Sequence, residues 1–228
     1  VAQTATGRIT GVNDAPTPAD DSATTDEDNP VGIAVLANDS DTDATDDLGV
    51  PAASVVSGLG GVVAPADGES ITYDAGGAYN HLAVGETAAV DISYTVDDGN
   101  GGSDTATATI TVTGLNDGPD AANDANSVDE DQSVSGSVLT GAGVDTDPDT
   151  SDELRVTAIA AGAASLLLTS GSSTAIAGTW GTLTISQDGS YSYALYTAEE
   201  NPSAYAAIQE LGDDDALTDS YNYTISDD

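Results

Sequence analysis

The chain repeats itself at the spacing of a small domain. Asn13-Asp14-Ala15-Pro16 returns as Asn116-Asp117-Gly118-Pro119, and Asp26-Glu27-Asp28 as Asp129-Glu130-Asp131, both 103 residues on (116 − 13 = 129 − 26). Asp39-Ser40-Asp41-Thr42-Asp43 returns as Asp145-Thr146-Asp147-Pro148-Asp149, and Tyr94-Thr95-Val96-Asp97-Asp98 as Tyr223-Thr224-Ile225-Ser226-Asp227. A repeat this long is an array of domains rather than a solenoid of short units. What it repeats is hard oxygen donors, the ligands that calcium prefers.

Composition narrows the partners. There are 40 Asp and Glu against two cationic side chains, Arg8 and Arg155, and the formal charge is −38. Nothing in such a chain neutralises phosphates, so nucleic acid is excluded as a partner, and so is an anionic membrane surface. No apolar run reaches spanning length, so no membrane insertion is expected. The apolar fraction of 39% still permits packed cores. Cys and Lys are both absent, which removes disulfides and lysine isopeptide crosslinks. A chain of this charge repels itself when compact. Bound cations are the staple that remains.

Local patterning is β. Val90, Ile92, Tyr94 and Val96 alternate with polar residues, as do Ala106, Ala108, Ile110 and Val112, and Tyr221, Tyr223 and Ile225. Asp98-Gly99-Asn100-Gly101-Gly102 reads as a tight turn. The fold expected is all-β, two tandem antiparallel β-sandwiches. One helix is expected after Asn201, with Pro202 in its first turn, Gly212 as its stop, and Tyr205, Ile208 and Leu211 on one face. A turn from Tyr79 to Gly85 takes its place in the first repeat. The boundaries follow the repeat. Residues 1–12 read as the last strand of a preceding repeat, since Ile9-Thr10-Gly11-Val12 matches Val112-Thr113-Gly114-Leu115. Residues 13–115 form repeat one, and residues 116–228 form repeat two without its last strand. The chain reads as a fragment whose targeting signal lies elsewhere.

The order of these motifs resembles the cadherin-like sandwiches, here meaning immunoglobulin-like β-sandwich repeats. It is most similar to the bacterial versions that tile large secreted adhesins of the repeats-in-toxin type. Gly178-Thr179-Trp180-Gly181-Thr182-Leu183-Thr184-Ile185, with Asp188-Gly189-Ser190-Tyr191-Ser192-Tyr193, resembles the repeat named after Vibrio, Colwellia, Bradyrhizobium and Shewanella. The resemblance implies calcium between successive repeats. By that analogy the shared site would take Glu27 and Glu86 from repeat one, Asn116 and Asp117 from the linker, and Asp145, Asp147 and Asp227 from repeat two. The equivalent site at the start of repeat one would take Asn13, Asp14, Asp39, Asp41 and Asp98. Glu130 and Asp215 would serve at the far end of repeat two. The sequence departs from the cadherin pattern at Asp-Glu-Asp, where cadherins carry Pro-Glu-Asn, and the match of Glu86 to Asp215 requires an insertion.

Competing readings fit less well. An EF-hand loop would need Gly at Ala44 or Thr150 and Glu at Val50 or Val156. The calcium-binding β-roll would need Gly101-Gly102-Ser103-Asp104 to recur, and it does not. His81 is the sole His and there is no Cys, so zinc is not indicated. Trp180 reads as packing rather than sugar stacking. No nucleophile–base pairing is visible, and the carboxylates sit at motif ends rather than flanking a cleft, so an enzyme is not expected. The expectation is a calcium-stiffened extender of a bacterial surface adhesin, its partners the neighbouring repeats of the same polypeptide and its location extracellular after type I secretion. The alternative is that one repeat, the second in preference, itself binds a surface ligand such as a glycan.

Overall fold

In the computed structural model, residues 3–63 and 68–227 are described. Val1, Ala2 and Asp228 of the expected boundaries lie outside them. The chain divides into two compact units, Val1–Asn116 and Asp117–Asp228.

Unit 1 contains β1 (Asp21–Asp26), β2 (Val31–Ile33), β3 (Gly49–Ser57), β4 (Gly61–Val63), β5 (Ile71–Asp74), β6 (Thr87–Asp97) and β7 (Ser103–Thr113). One sheet has the order β1-β7-β6-β3 and the other β2-β5-β4. The two long alternating runs are the central antiparallel pair, in register from Thr87 opposite Thr113 to Asp97 opposite Ser103. Their apolar residues point inward. Val90, Ile92, Tyr94 and Val96 meet Ala108, Ile110 and Val112, and Ile71 and Tyr73 close the core from the second sheet. β1 joins the edge in parallel, Asp21 opposite Ala108 through Asp26 opposite Thr113. The Tyr79–Gly85 segment is a series of turns, as expected. Gln3–Val12 carries no strand, and Ile9 and Val12 are 99% and 81% exposed.

Unit 2 contains β8 (Ser133–Ser137), β9 (Arg155–Ala161), β10 (Ala164–Leu167), β11 (Ser173–Ala177), β12 (Gly181–Ser186), β13 (Ser190–Leu195), α1 (Pro202–Gln209) and β14 (Asn222–Ser226). Its sheets run β11-β12-β13-β8 and β10-β9-β14. Val156, Ile159, Ile176, Leu183 and Ile185 form the core, with Tyr191, Tyr193, Tyr221 and Tyr223 packed around it. The Gly- and Ser-rich insertion after Ala160 is built into strands β10 and β11.

The helix starts as its sequence dictates. Asn201 Oδ1 accepts the N–H of Ala204 at 3.2 Å, and Pro202 occupies the first turn. Its end and its buried face differ from expectation. The helix closes at Gln209 with Glu210 as cap, before Gly212. Ala204 and Ile208, four residues apart, face the core, whereas Tyr205 is turned about 100° further round the helix and is 38% exposed.

β14 spans five residues where its counterpart β6 spans eleven. The outer edge of β14 has no partner among the described residues. Asp124–Asp129, which corresponds to β1 at the 103-residue offset, carries no strand either. In unit 1 both β1 and the first half of β6 are paired through β7. A strand needs a neighbour to satisfy its backbone groups, so both counterparts are lost together.

The packed tyrosines set an alkaline limit. Burial pushes the phenols of Tyr94, Tyr193, Tyr221 and Tyr223 up from their usual value, and nearby carboxylates add to it: Asp21 beside Tyr94, Asp219 beside Tyr193 and Tyr221, Asp124 and Asp145 beside Tyr223. A phenol whose folded-state pKa is raised contributes stability that is present below about pH 10 and is lost as pH climbs above it. On alkaline titration these four should ionise together with loss of the near-ultraviolet circular dichroism. A complete tyrosinate signal while the folded spectrum persists would contradict their packing.

Candidate metal centre

At the leading end of unit 1, the Asn13–Pro16 stretch is tied to the loop after β2. Thr17 and Ser40 exchange backbone hydrogen bonds at 2.7 and 3.2 Å. The Asp14 N–H donates to Asp43 Oδ2 at 2.7 Å, and the Asp43 N–H donates to Asp41 Oδ1 at 2.7 Å. The Ala19 N–H donates to Asp39 Oδ1 at 2.8 Å. The Tyr94 hydroxyl donates to Asp21 Oδ2 at 2.7 Å and lies 2.8 Å from the Ala19 carbonyl.

Asp98 arrives from the end of β6 and is 1% exposed. The Asn13 amide donates to its Oδ2 at 2.8 Å, and the N–H groups of Asn100 and Gly102 donate to it at 2.7 and 3.0 Å. These donors, the Asn13 amide foremost, hold the Asp98 carboxyl below its ordinary value although burial opposes them. Gly102 is required here, because a Cβ would run into Asp98 Oδ2. Asp98 is therefore a buried, ionised carboxylate.

Carboxylate oxygens of Asp41, Asp46 and Asp98 all lie within 4.8 Å of one another. Asp41 Oδ2 and Asp46 Oδ2 are buried and accept no hydrogen bond. Buried carboxylate oxygens with no donor, set beside a third carboxylate, are costly unless a cation lies among them. Two oxygens sharing one calcium at 2.3–2.6 Å stand at most about 5.2 Å apart, so the spacing suits that ion. Calcium here would supply the positive charge and the multi-oxygen coordination that the protein's own donors do not.

Unit 2 repeats the hydrogen bonds that tie this loop, although among its described residues no three carboxylates converge as Asp41, Asp46 and Asp98 do. Asp120 and Thr146 exchange backbone hydrogen bonds at 2.8 and 3.1 Å. The Asp117 N–H donates to Asp149 Oδ2 at 2.8 Å, the Asp149 N–H to Asp147 Oδ1 at 2.9 Å, and the Ala122 N–H to Asp145 Oδ1 at 2.7 Å. The Tyr223 hydroxyl lies 2.8 Å from the Ala122 carbonyl and 3.1 Å from Asp124 Oδ2. Asp147 Oδ2 and Asp149 Oδ1 are buried without a hydrogen bond, and Asp149 is 1% exposed.

The expected ligands fall into distinct places. Asn13, Asp41 and Asp98 come together. Asp14 is tied beside the cluster, its backbone N–H donating to Asp43 Oδ2. Asp39 and Asp145 each commit an oxygen to bracing the chain behind it, and burial pushes the Asp39 carboxyl up. Asp46 joins the cluster without having been anticipated. The repeat held the signal, because Asp46 follows Asp41 by the same five positions as Asp152 follows Asp147.

At the other end of unit 1, Glu27 and Glu86 flank the exit of β7. Glu27 is 3% exposed and accepts the Leu115 N–H at 2.7 Å, and the Glu86 carbonyl accepts the Gly114 N–H at 3.0 Å. Glu86 is itself exposed, as are Asn116, Glu130 and Asp215, while Asp117 and Asp227 are half-buried. Glu130 and Asp215 line one cleft of unit 2.

A family model described as the bacterial cadherin-like domain matches residues 13–114 and again residues 116–228. The chain belongs to the bacterial cadherin-like domain family. Cadherin-like domains are typically non-enzymatic structural modules, and they generally bind calcium. No curated protein matches the sequence. Among solved structures, a chimeric titin Z1Z2 carrying an exogenous KLER peptide from decorin is similar at 13% identity, over 83% of this chain and 87% of that chain, with a TM-score of 0.23. Among the described residues, no helix of these cadherin-like repeats is long and apolar enough to cross a membrane.

Proposed function

We propose that the chain is a calcium-stiffened spacer from a bacterial surface adhesin of the repeats-in-toxin kind, its second domain a repeat of the Vibrio–Colwellia–Bradyrhizobium–Shewanella type. It would hold a distal ligand-binding region away from the cell, outside a cytosol from which type I export delivers it. The observation that carries this reading is the duplicated carboxylate framework, with buried oxygens that lack donors in both units. A binding module needs one specific surface; a spacer needs the same ion-dependent element in every repeat. Of the ligand set expected around the linker, Glu27, Glu86, Asn116, Asp117, Asp147 and Asp227 are the source of stiffness in this reading, while Asp145 braces the Ala122 N–H behind them. Calcium held there would fix the angle between successive repeats, and without it the carboxylates would repel. A chain at −38 exported unfolded would meet its stabilising ion only outside the cell.

Small-angle scattering tests the reading. In calcium, a narrow distribution of extended shapes is expected; in chelator, a broader one. Identical curves in the two buffers would remove the stiffening role, whatever calcium does for each unit. Anomalous diffraction at the Asp41–Asp46–Asp98 cluster would establish the ion itself. The alternative, a glycan-binding second repeat, has one observation in its favour: the half-buried Trp180 lines a cleft of unit 2. Specific signal on a glycan array, lost in Trp180→Ala, would decide for it.

A further inference from the structure

The turn that delivers Asp98 to the carboxylate cluster also carries a reactive backbone step. Asn100-Gly101 is the sole Asn-Gly pair in the sequence. An Asn carboxamide can be attacked by the backbone nitrogen of the next residue, and glycine, lacking a Cβ, lets that nitrogen approach. Other asparagines keep their amides occupied. Asn13 donates to Asp98, Asn29 to Asp26, Asn38 to the Asp20 carbonyl and Asn126 to the Tyr191 hydroxyl, and Asn201 caps α1. The Asn100 carboxamide has no such partner among the described residues, and both Asn100 and Gly101 are exposed. A Cβ added at Gly101 would meet nothing within 4 Å, so the step has open space around it.

The same step sets the position of Asp98. The Asn100 and Gly102 N–H groups donate to Asp98 Oδ1 at 2.7 and 3.0 Å, and the Asp98 N–H donates to the Gly102 carbonyl at 3.2 Å. Gly102 is closely seated, since a Cβ there would stand 2.9 Å from Ala15 Cα. The backbone length from Asn100 to Gly102 therefore fixes where the carboxylate stands, within 4.8 Å of oxygens of Asp41 and Asp46.

We propose that Asn100 is a covalent modification site, deamidating through a ring closed with Gly101, and that the isoaspartate product loosens the carboxylate cluster of unit 1. The Gly101 nitrogen gives its proton to solvent and bonds to Asn100 Cγ. The carboxamide C–N bond breaks, and ammonia leaves with a proton from solvent. Water then opens the succinimide. Opening at Cγ gives aspartate. Opening at the main-chain carbonyl gives isoaspartate, in which the chain runs through the side-chain carbons and gains one backbone carbon. The net exchange is water in and ammonia out, with no change of oxidation state. Both products add a carboxylate to the turn. Only isoaspartate lengthens the backbone, which carries Gly102 away from Asp98 and removes a donor from a buried charge.

Calcium should slow the reaction. The Gly101 N–H also faces the Asp98 carboxylate. An ion on Asp98 fixes that turn, and the nitrogen must leave it to reach Cγ. This coupling rests on calcium occupying the Asp41–Asp46–Asp98 cluster; the reactivity of Asn100 does not.

Ageing the full chain in warm neutral buffer, in calcium and in chelator, tests both parts. Peptide mass spectrometry should find Asn100 modified ahead of Asn13, Asn29, Asn38 and Asn126, and at least about threefold faster in chelator. Calcium titrations followed by the amide signals of Gly99 and Gly102 in unit 1, and of Asp149 in unit 2, read the consequence. The purified isoaspartate species should bind at least about threefold more weakly in unit 1, the effect of losing one hydrogen bond to a charge, with unit 2 unchanged. Fresh Asn100→Asp, and Asn100→Gln aged alongside, should both titrate like fresh wild type. Asn100 intact after other asparagines have reacted would overturn the site. Equal rates in calcium and chelator would overturn the coupling, as would an isoaspartate species that binds like fresh protein. A fresh Asn100→Asp variant as weak as that species would assign the effect to charge instead of backbone length and so overturn it too. Fresh wild type that binds no calcium in unit 1 would refute the calcium reading and the coupling, while the mass spectra still decide the modification.

Discussion

Calcium should raise the melting temperature of this chain by roughly 5–20 °C for each site filled, and chelator should lower it correspondingly. An ion that binds only the folded state adds RT ln(1 + [L]/Kd). At about millimolar calcium and a Kd of ~10⁻⁵–10⁻⁴ M this is roughly 1.5–3 kcal/mol per site. A domain of about 100 residues converts each kcal/mol into several degrees. The effect is large because no disulfide or lysine crosslink shares the task. The buried oxygens of Asp41 and Asp46 are a liability until something positive lies between them. Melting curves that coincide in calcium and chelator would end the calcium reading of both units.

Asp41→Asn together with Asp46→Asn should reverse sign between two buffers. In calcium the double variant should lose the stabilisation that this site provides, roughly 1.5–3 kcal/mol. In chelator it should melt at or above the wild type, because two carboxylates that repel Asp98 have been neutralised. The amide oxygen introduced in place of the Asp41 carboxylate can still accept the Asp43 N–H, which Asp41 Oδ1 accepts at 2.7 Å, so the loop keeps its brace. Titration calorimetry should show fewer calcium sites and unchanged binding in unit 2. A variant that is less stable than the wild type in chelator yet keeps the full calcium shift would make these carboxylates structural rather than ligating. The opposite behaviour is expected of Asp39 and Asp145, whose oxygens hold the Ala19 and Ala122 N–H groups. Removing either leaves a backbone donor unsatisfied in both buffers.

The division between what was legible and what was not follows the range of the interactions. Alternation over Val90–Val96 and Ala106–Val112 identified the central strands, because a half-buried strand writes its burial into every second residue. Asn201 and Pro202 announced the start of α1, because capping is settled within one turn. The tandem offset supplied the two-unit organisation and the duplicated carboxylates. These features are local or repeated, and the chain determines them by itself.

What only the tertiary structure decided is convergence. Asp39 and Asp41 sit two residues apart in the same motif, yet Asp39 turns back to hold Ala19 while Asp41 meets Asp46 and Asp98. The choice depends on the turn through Asp43 and Asp46 and on the end of β6, which arrives from far along the chain. The end of α1 was likewise set by which residues reach the core, Ala204 and Ile208, rather than by the glycine beyond it. Asp124–Asp129 repeats the pattern of β1 but forms no strand, because a strand is a property of a pair. Its backbone groups need a neighbour that sequence periodicity cannot provide.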